Sequence, residues 1–153
     1  MRVTVTVAAE LSSRQRALVR SARLRSLLRR CGEELGVDPK TSLTVCMSAD
    51  HELHRLNSLF LGVDEPTDVL AFPAEEPGYL GDIAVSVERA LAQAPGDGAA
   101  ELRLLAVHGL LHCLGHDHGD VDGAARMTAL TRRLLPDQEV PALVATADSA
   151  ETR

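Results

Sequence analysis

The sequence predicts one α/β domain of the α+β type, a small sheet with helices packed on it. Three observations carry this reading. Four short segments read as strands, and stretches of helical period lie between and after them. The 153 residues are 45% apolar and 25% charged, the balance of a globular protein with a core of its own. No internal repeat divides the chain.

Val3, Val5 and Val7 alternate with Arg2, Thr4 and Thr6, as a half-buried strand does. Ser12 or Ser13 can cap a helix running to about Leu35. In it Ala17, Ser21, Leu24, Leu28, Cys31 and Leu35 step by three and four into one stripe. Gly36 and Pro39 stop it. Leu43, Val45 and Met47 form a second strand. A helix from about Asp50 to Phe60 follows, with Leu53, Leu56 and Phe60 on one side.

Residues 62–68 form a loop by their turn residues. Val69 to Phe72 is a short buried strand ended by Pro73, and Ile83 to Val87 is a fourth. A short helix and the loop Pro95-Gly96-Asp97-Gly98 come next. Residues 99–114 are an apolar helix, and 121–135 an amphipathic one with Met127, Leu130 and Leu134 on one face. The pattern weakens from Pro136, so the domain is expected over 1–135 and a frayed tail over 136–153.

Aromatic residues are 2%: two Phe, one Tyr and no Trp. That excludes modules that stack bases on aromatic platforms. The net charge of −6 argues against a general nucleic-acid coat. The charge is unevenly placed. Residues 11–32 hold seven arginines and no acid, while the other 131 residues hold 9 basic and 22 acidic side chains. The basic segment reads either as a solvated face or as an electrostatic track for an RNA backbone, with Arg16, Arg20 and Arg23 as its contacts.

No apolar run is long enough to span a bilayer. The start lacks the features of a signal peptide, so a cytoplasmic protein with no membrane partner is expected. Three cysteines without C-x-x-C spacing read as small buried apolar residues.

Four of the six histidines lie between residues 108 and 118. His108 and His112 are four apart, one turn apart on the same helix face. The helix around them is apolar nearly all round and is expected to be buried. Two imidazoles there need partners, since an unpaired buried polar group costs about 1–3 kcal/mol. Gly115 can close the helix in the left-handed conformation, letting the chain fold back and bring His118 to the first two rings. Three imidazoles suit a borderline-soft divalent ion, zinc first, and three protein ligands leave a position open for water. His116 is also available as the third ligand, and Cys113 lies next to His112. Asp117 is expected to orient a ligand ring.

The order resembles the zinc-protease pattern H-E-x-x-H-x-x-G-x-x-H, with Gly109 where the proteases carry their general-base Glu. Glycine takes no proton, so peptide hydrolysis by that route is not expected. Lowering the pKa of bound water and polarising a phosphoryl oxygen remain.

His108-Gly109-Leu110-Leu111-His112-Cys113-Leu114-Gly115-His116-Asp117-His118 closely resembles the H-G-x-L-H-L-x-G-[HY]-D-H signature of the YbeY family of bacterial endoribonucleases. Residues 66–73 (P-T-D-V-L-A-F-P) and 80–86 (L-G-D-I-A-V-S) resemble two further family blocks, in the family's order. The resemblance covers about residues 40–135. It implies a four-stranded mixed sheet and one zinc ion per chain held by His108, His112 and His118, which act catalytically through it. It implies a single-strand-specific endoribonuclease that matures the 3′ end of small-subunit ribosomal RNA and serves ribosome quality control. The implied partners are the small ribosomal subunit, one of its proteins and an assembly GTPase. The family commonly has Arg where this chain has Leu61. That departure keeps open a non-catalytic, metal-stabilised assembly factor, beside a metal-dependent hydrolase of another substrate.

Overall fold

The computed structural model describes residues 1–146. Its elements run β1 (Arg2–Val7), α1 (Ser13–Ala22), α2 (Leu24–Glu34), β2 (Ser42–Ser48), α3 (Asp50–Leu61), β3 (Val69–Pro73), β4 (Tyr79–Ser86), α4 (Val87–Gln93), α5 (Gly98–Cys113) and α6 (Val121–Leu134). The four strands lie in the order β1-β2-β4-β3. β1 and β4 pair parallel with β2, and β3 pairs antiparallel with β4. The sheet is therefore mixed, as the resemblance implies.

Strand alternation sorts the two faces. Val69, Ala71, Ile83 and Val85 join the main core with Leu28, Leu102, Leu110 and Met127. Leu70 and Ala84 point the other way and pack with Leu53 of α3. Thus α3 covers one face and the remaining helices cover the other. α5 runs through their middle, packing on β3 and β4 and against α1, α2, α4 and α6. It is buried at Leu102, Leu105, Ala106, Val107, Gly109, Leu110, Leu111, His112 and Cys113, as its all-round apolarity requires.

Two helical expectations change. The single helix from Ser12 to Leu35 is two helices, broken at Arg23 (φ 51°, ψ 43°). The break shifts the phase of burial: Val19 and Ala22 are buried in α1, where an unbroken helix would bury Ala17 and Ser21. The carbonyls freed at the end of α1 are met by Arg103 of α5, whose Nε donates to Ala22 O (3.0 Å) and Nη2 to Ser21 O (3.3 Å). In α3, Phe60 is exposed and Asn57 takes the buried place. Its Nδ2 donates to Glu65 O at 2.9 Å, which ties the following loop to the helix.

Residues 136–146 fall in the stretch expected to be a frayed tail. They form no helix or strand, yet they are fastened by long-range hydrogen bonds. Gln138 Nε2 donates to Ala100 O (2.8 Å), Arg132 Nε to Val140 O (3.1 Å) and Leu143 N to Thr128 Oγ1 (3.0 Å). Residues 147–153 lie outside the described residues.

Candidate metal centre

α5 carries His108 and His112 on the same face of its C-terminal end, one turn apart. Their Nε2 atoms are 3.1 Å apart. Two nitrogens sharing one tetrahedral ion at about 2.05 Å would stand about 3.3 Å apart, so the pair is already at chelating distance. Leu114 N and Gly115 N then bond back to Leu110 O and His112 O, and His116 N to Leu111 O (3.0 Å). This is the six-to-one closure that needs a left-handed residue, and Gly115 supplies it with φ +92°.

The chain reverses there and brings His118 back. One ligand-capable atom from each of His108, His112 and His118 lies within 4.8 Å of the others. His112 is buried, and the other two are partly open. The donor set is three imidazoles with no thiolate or carboxylate, chemistry that suits a borderline divalent ion. His116 is not in the group. Nor is Cys113, whose thiol is pushed up to about 12 by burial, the nearby Asp82 carboxylate adding to the effect. It stays a protonated thiol at neutral pH.

The loop that presents His118 is pinned from three sides. Asp117 Oδ1 accepts from Gly119 N (3.1 Å), and Asp120 Oδ1 caps α6 through Gly123 N. From the far end of the chain, Thr146 N donates to His118 O at 3.0 Å, and Thr146 Oγ1 stands 3.4 Å from His118 Nδ1. Asp117 therefore shapes the turn. Thr146 beside the ring is a residue that local spacing gave no means of finding.

His108 and His118 open into a cleft of about 300 Å³. Asp68 and Val69 line one side, Glu101 and Leu104 of α5 another, and Val140 and Leu143 of the terminal segment a third. Glu101 lies seven residues before His108, two turns along the same face, a spacing visible in the sequence. Gln93 Nε2 bridges Asp68 Oδ2 (3.3 Å) and Glu101 Oε1 (2.8 Å). Among the described residues, no Arg or Lys lines this cleft.

The arginines proposed from sequence as RNA contacts are elsewhere. Arg16 is spent on the fold, donating to Leu11 O, Ala8 O and Ala9 O, each at 3.0 Å. Arg20 and Arg23 are exposed and line a groove beside β1. Leu61, where the family resemblance leads one to expect Arg, packs against the cluster of Leu53, Leu70 and Ala84.

Gly109 sits where α5 crosses β4. A β-carbon there would lie 2.6 Å from Ile83 Cγ2. The glycine is a packing requirement, and the position has no room for the protease Glu.

Comparison with known proteins agrees with this geometry. The family model described as endoribonuclease YbeY matches residues 10–139. An endoribonuclease YbeY of Synechococcus sp. is 43% identical over 118 residues, covering 67% of this chain and 72% of the relative. One from Gloeobacter violaceus is 49% identical over 106 residues, 61% of this chain and 55% of the relative. One from Thermus thermophilus is 47% identical over 105 residues, 63% and 75%. The solution structure of TM1509 from Thermotoga maritima superposes with a TM-score of 0.54 at 22% identity, covering 88% of this chain and 91% of that one. That likeness bears on the fold alone. With the family model matching from α1 through β2, β3, β4, the histidine helix and its turn, the chain belongs to the endoribonuclease YbeY family.

Proposed function

We propose that this protein is a zinc-dependent, single-strand-specific endoribonuclease that matures the 3′ end of small-subunit ribosomal RNA and serves ribosome quality control. The observation that carries the reading is the convergence of His108, His112 and His118 beside a cleft, in a chain of an endoribonuclease family. The proposed partners are ribosomal RNA, the small subunit with one of its proteins, and an assembly GTPase. The proposed place is the cytoplasm. No helix among the described residues is long and apolar enough to cross a membrane.

His108, His112 and His118 would hold a divalent ion, which would supply Lewis-acid chemistry toward a phosphoryl oxygen and water. The chain's own residues hold and orient. α5 fixes two rings at chelating distance, so little freedom is lost on loading. The Thr146 hydroxyl stands 3.4 Å from His118 Nδ1; with Nε2 turned to an ion, an Nδ1–H would donate to this hydroxyl and hold the ring's orientation. Val140 and Leu143 wall the cleft with apolar surface, which strengthens the field that a phosphate meets there.

A second reading has one observation in its favour. With no cationic side chain among the described residues that line the cleft, the triad could hold a loop in a non-catalytic assembly factor. Incubating zinc-loaded protein and His112→Ala with ribosomal RNA, and identifying the ends of the products, separates the two. Cleavage that needs both zinc and His112 supports the nuclease. Bound zinc without turnover supports the assembly factor.

A further inference from the structure

The seven arginines of residues 11–32 have no acidic neighbour in their own segment. Among the described residues, the arginine ion pairs are those of Arg55 and Arg89, and no arginine of α1 or α2 enters one. Like charges held together repel, so such a cluster lowers stability unless an anion meets it.

The backbone break at Arg23 decides where these charges point. On one straight helix Arg25 and Arg29 would lie about 140° and 180° round from Arg20, at 100° per residue. With Arg23 in the left-handed region, Arg20, Arg23, Arg25 and Arg29 all line one groove of about 480 Å³. Its floor is apolar, from Val5, Val7 and Leu24. A non-glycine residue at positive φ is costly, and its result here is to gather four exposed guanidinium groups. Arg23 and Ser26 also line the adjoining groove, which adds Arg30 and Arg103 and, among the described residues, holds one carboxylate, Asp137. Arg30 and Arg103 donate to backbone carbonyls, which leaves their charge standing.

This basic surface connects to the metal cleft. Gln138, at its far end, lines a further groove that shares Glu101, Leu104, Val140 and Pro141 with the cleft. That bridging groove carries Asp97, Glu101 and Glu139 against Arg132, so it offers an anion no net attraction.

We infer that the surface of Arg20, Arg23, Arg25 and Arg29 is a phosphate-backbone exosite that anchors single-stranded RNA at a distance from the metal cleft. The inference rests on the reading of the chain as an enzyme acting on RNA. Guanidinium groups take phosphate oxygens in bidentate fashion. The near absence of aromatic side chains leaves backbone charge as the means of holding a strand. Affinity then comes from the exosite, and only a strand long enough to reach both places gains it.

The test compares oligodeoxyuridylates of about 5 and about 20 nucleotides, probes with the same phosphates and no 2′-hydroxyl. Binding to the zinc-loaded protein is followed by fluorescence anisotropy across a salt series. The wild type binds the longer probe at least about tenfold more tightly. The triple variant Arg20→Glu, Arg25→Glu, Arg29→Glu loses that gain, and its salt slope falls by about two, three contacts at about 0.7 each. Its cleavage of an oligouridylate of about 5 nucleotides is unchanged. The triple Lys variant keeps the length effect, and single Arg25→Gln and Arg29→Gln changes, judged beside their melting curves, show graded losses if the Glu variant is unstable. A triple Glu variant that keeps both the length gain and the slope overturns the inference. So does polyglutamate that displaces the long probe as well as RNA of equal charge, which would make the surface a site for acidic protein. If the wild type cleaves no RNA but keeps the arginine-dependent gain, the nuclease reading fails and the exosite stands.

Discussion

Gly109 and Ile83 are in such close approach that a β-carbon on the glycine would come within 2.6 Å of the isoleucine Cγ2. The contact bears on the height of α5 above β4, and with it on where His108 and His112 stand relative to the His118 turn. Two effects oppose each other in Gly109→Ala. Alanine favours the helix by about 1 kcal/mol, while overpacking a full core costs about 1–3 kcal/mol. A side chain with no flexible end to yield makes the second prevail. Gly109→Ala is predicted to destabilise in urea unfolding and to weaken zinc binding. In an Ile83→Ala background the same change is predicted to cost less, because the opposing methyl is gone. Equal costs in the two backgrounds would refute the contact.

The metal centre makes a prediction about stability. An ion that binds only the folded chain at a hundred times its dissociation constant adds about 2.7 kcal/mol. For a domain of this size that raises the melting temperature by about 5–10 °C. Scanning calorimetry with zinc and with a chelator is expected to show the rise in wild type and to lose it in His112→Ala. Thr146→Val is predicted to weaken zinc binding by about tenfold, in the manner of a group that orients a ligand ring.

The terminal segment is predicted to stabilise the domain. Val140 is 9% exposed, so Val140→Ala removes about two buried carbon groups, worth about 1–2 kcal/mol. Removing residues 137–153 also breaks the hydrogen bonds at Ala100, Arg132, Thr128 and His118. That truncation is predicted to cost about 2 kcal/mol or more and to weaken zinc binding by releasing the His118 loop.

Asp50 and Arg89 give a pH-dependent term. Arg89 Nε and Nη2 donate to the two carboxylate oxygens at 2.9 and 3.0 Å, and Ser86 Oγ adds a third bond. The Arg89 hydrogen bonds hold the Asp50 carboxyl below its usual range, with Ser86 assisting against the cost of burial. A carboxyl depressed in the folded state contributes stability above its unfolded pKa and loses it as pH falls through the folded one. Both groups are about one-third exposed, and solvent screening holds the term to about 1 kcal/mol or less. Asp50→Asn is predicted to lower stability by that amount near neutral pH, with the gap to wild type closing below about pH 4. Urea titrations at the two pH values measure it.

What could be read from the sequence followed from local period and spacing. The strands, the buried α5, the i, i+4 histidines and the closure at Gly115 are all set within a few residues of themselves. The break at Arg23 was hidden because nothing there, neither Gly nor Pro, marks it, and the stripe from Ala17 to Leu35 keeps helical spacing through it. Its support is distant: Arg103, some eighty residues later, bonds the carbonyls at the end of α1. The terminal segment lacked pattern because its order comes from bonds to α5, α6 and the His118 loop. The reason for Gly109 lies in Ile83, on a strand that only the fold brings beneath it.

One ion on His108, His112 and His118 is proposed to drive RNA cleavage. Titrating zinc into metal-free protein, while measuring bound metal and the cleavage rate of single-stranded ribosomal RNA in the same samples, tests this most directly. The expected rate rises in proportion to bound zinc, levels off at one ion per chain, and is absent in His112→Ala. Full cleavage without bound metal, or unchanged cleavage in His112→Ala, would contradict it.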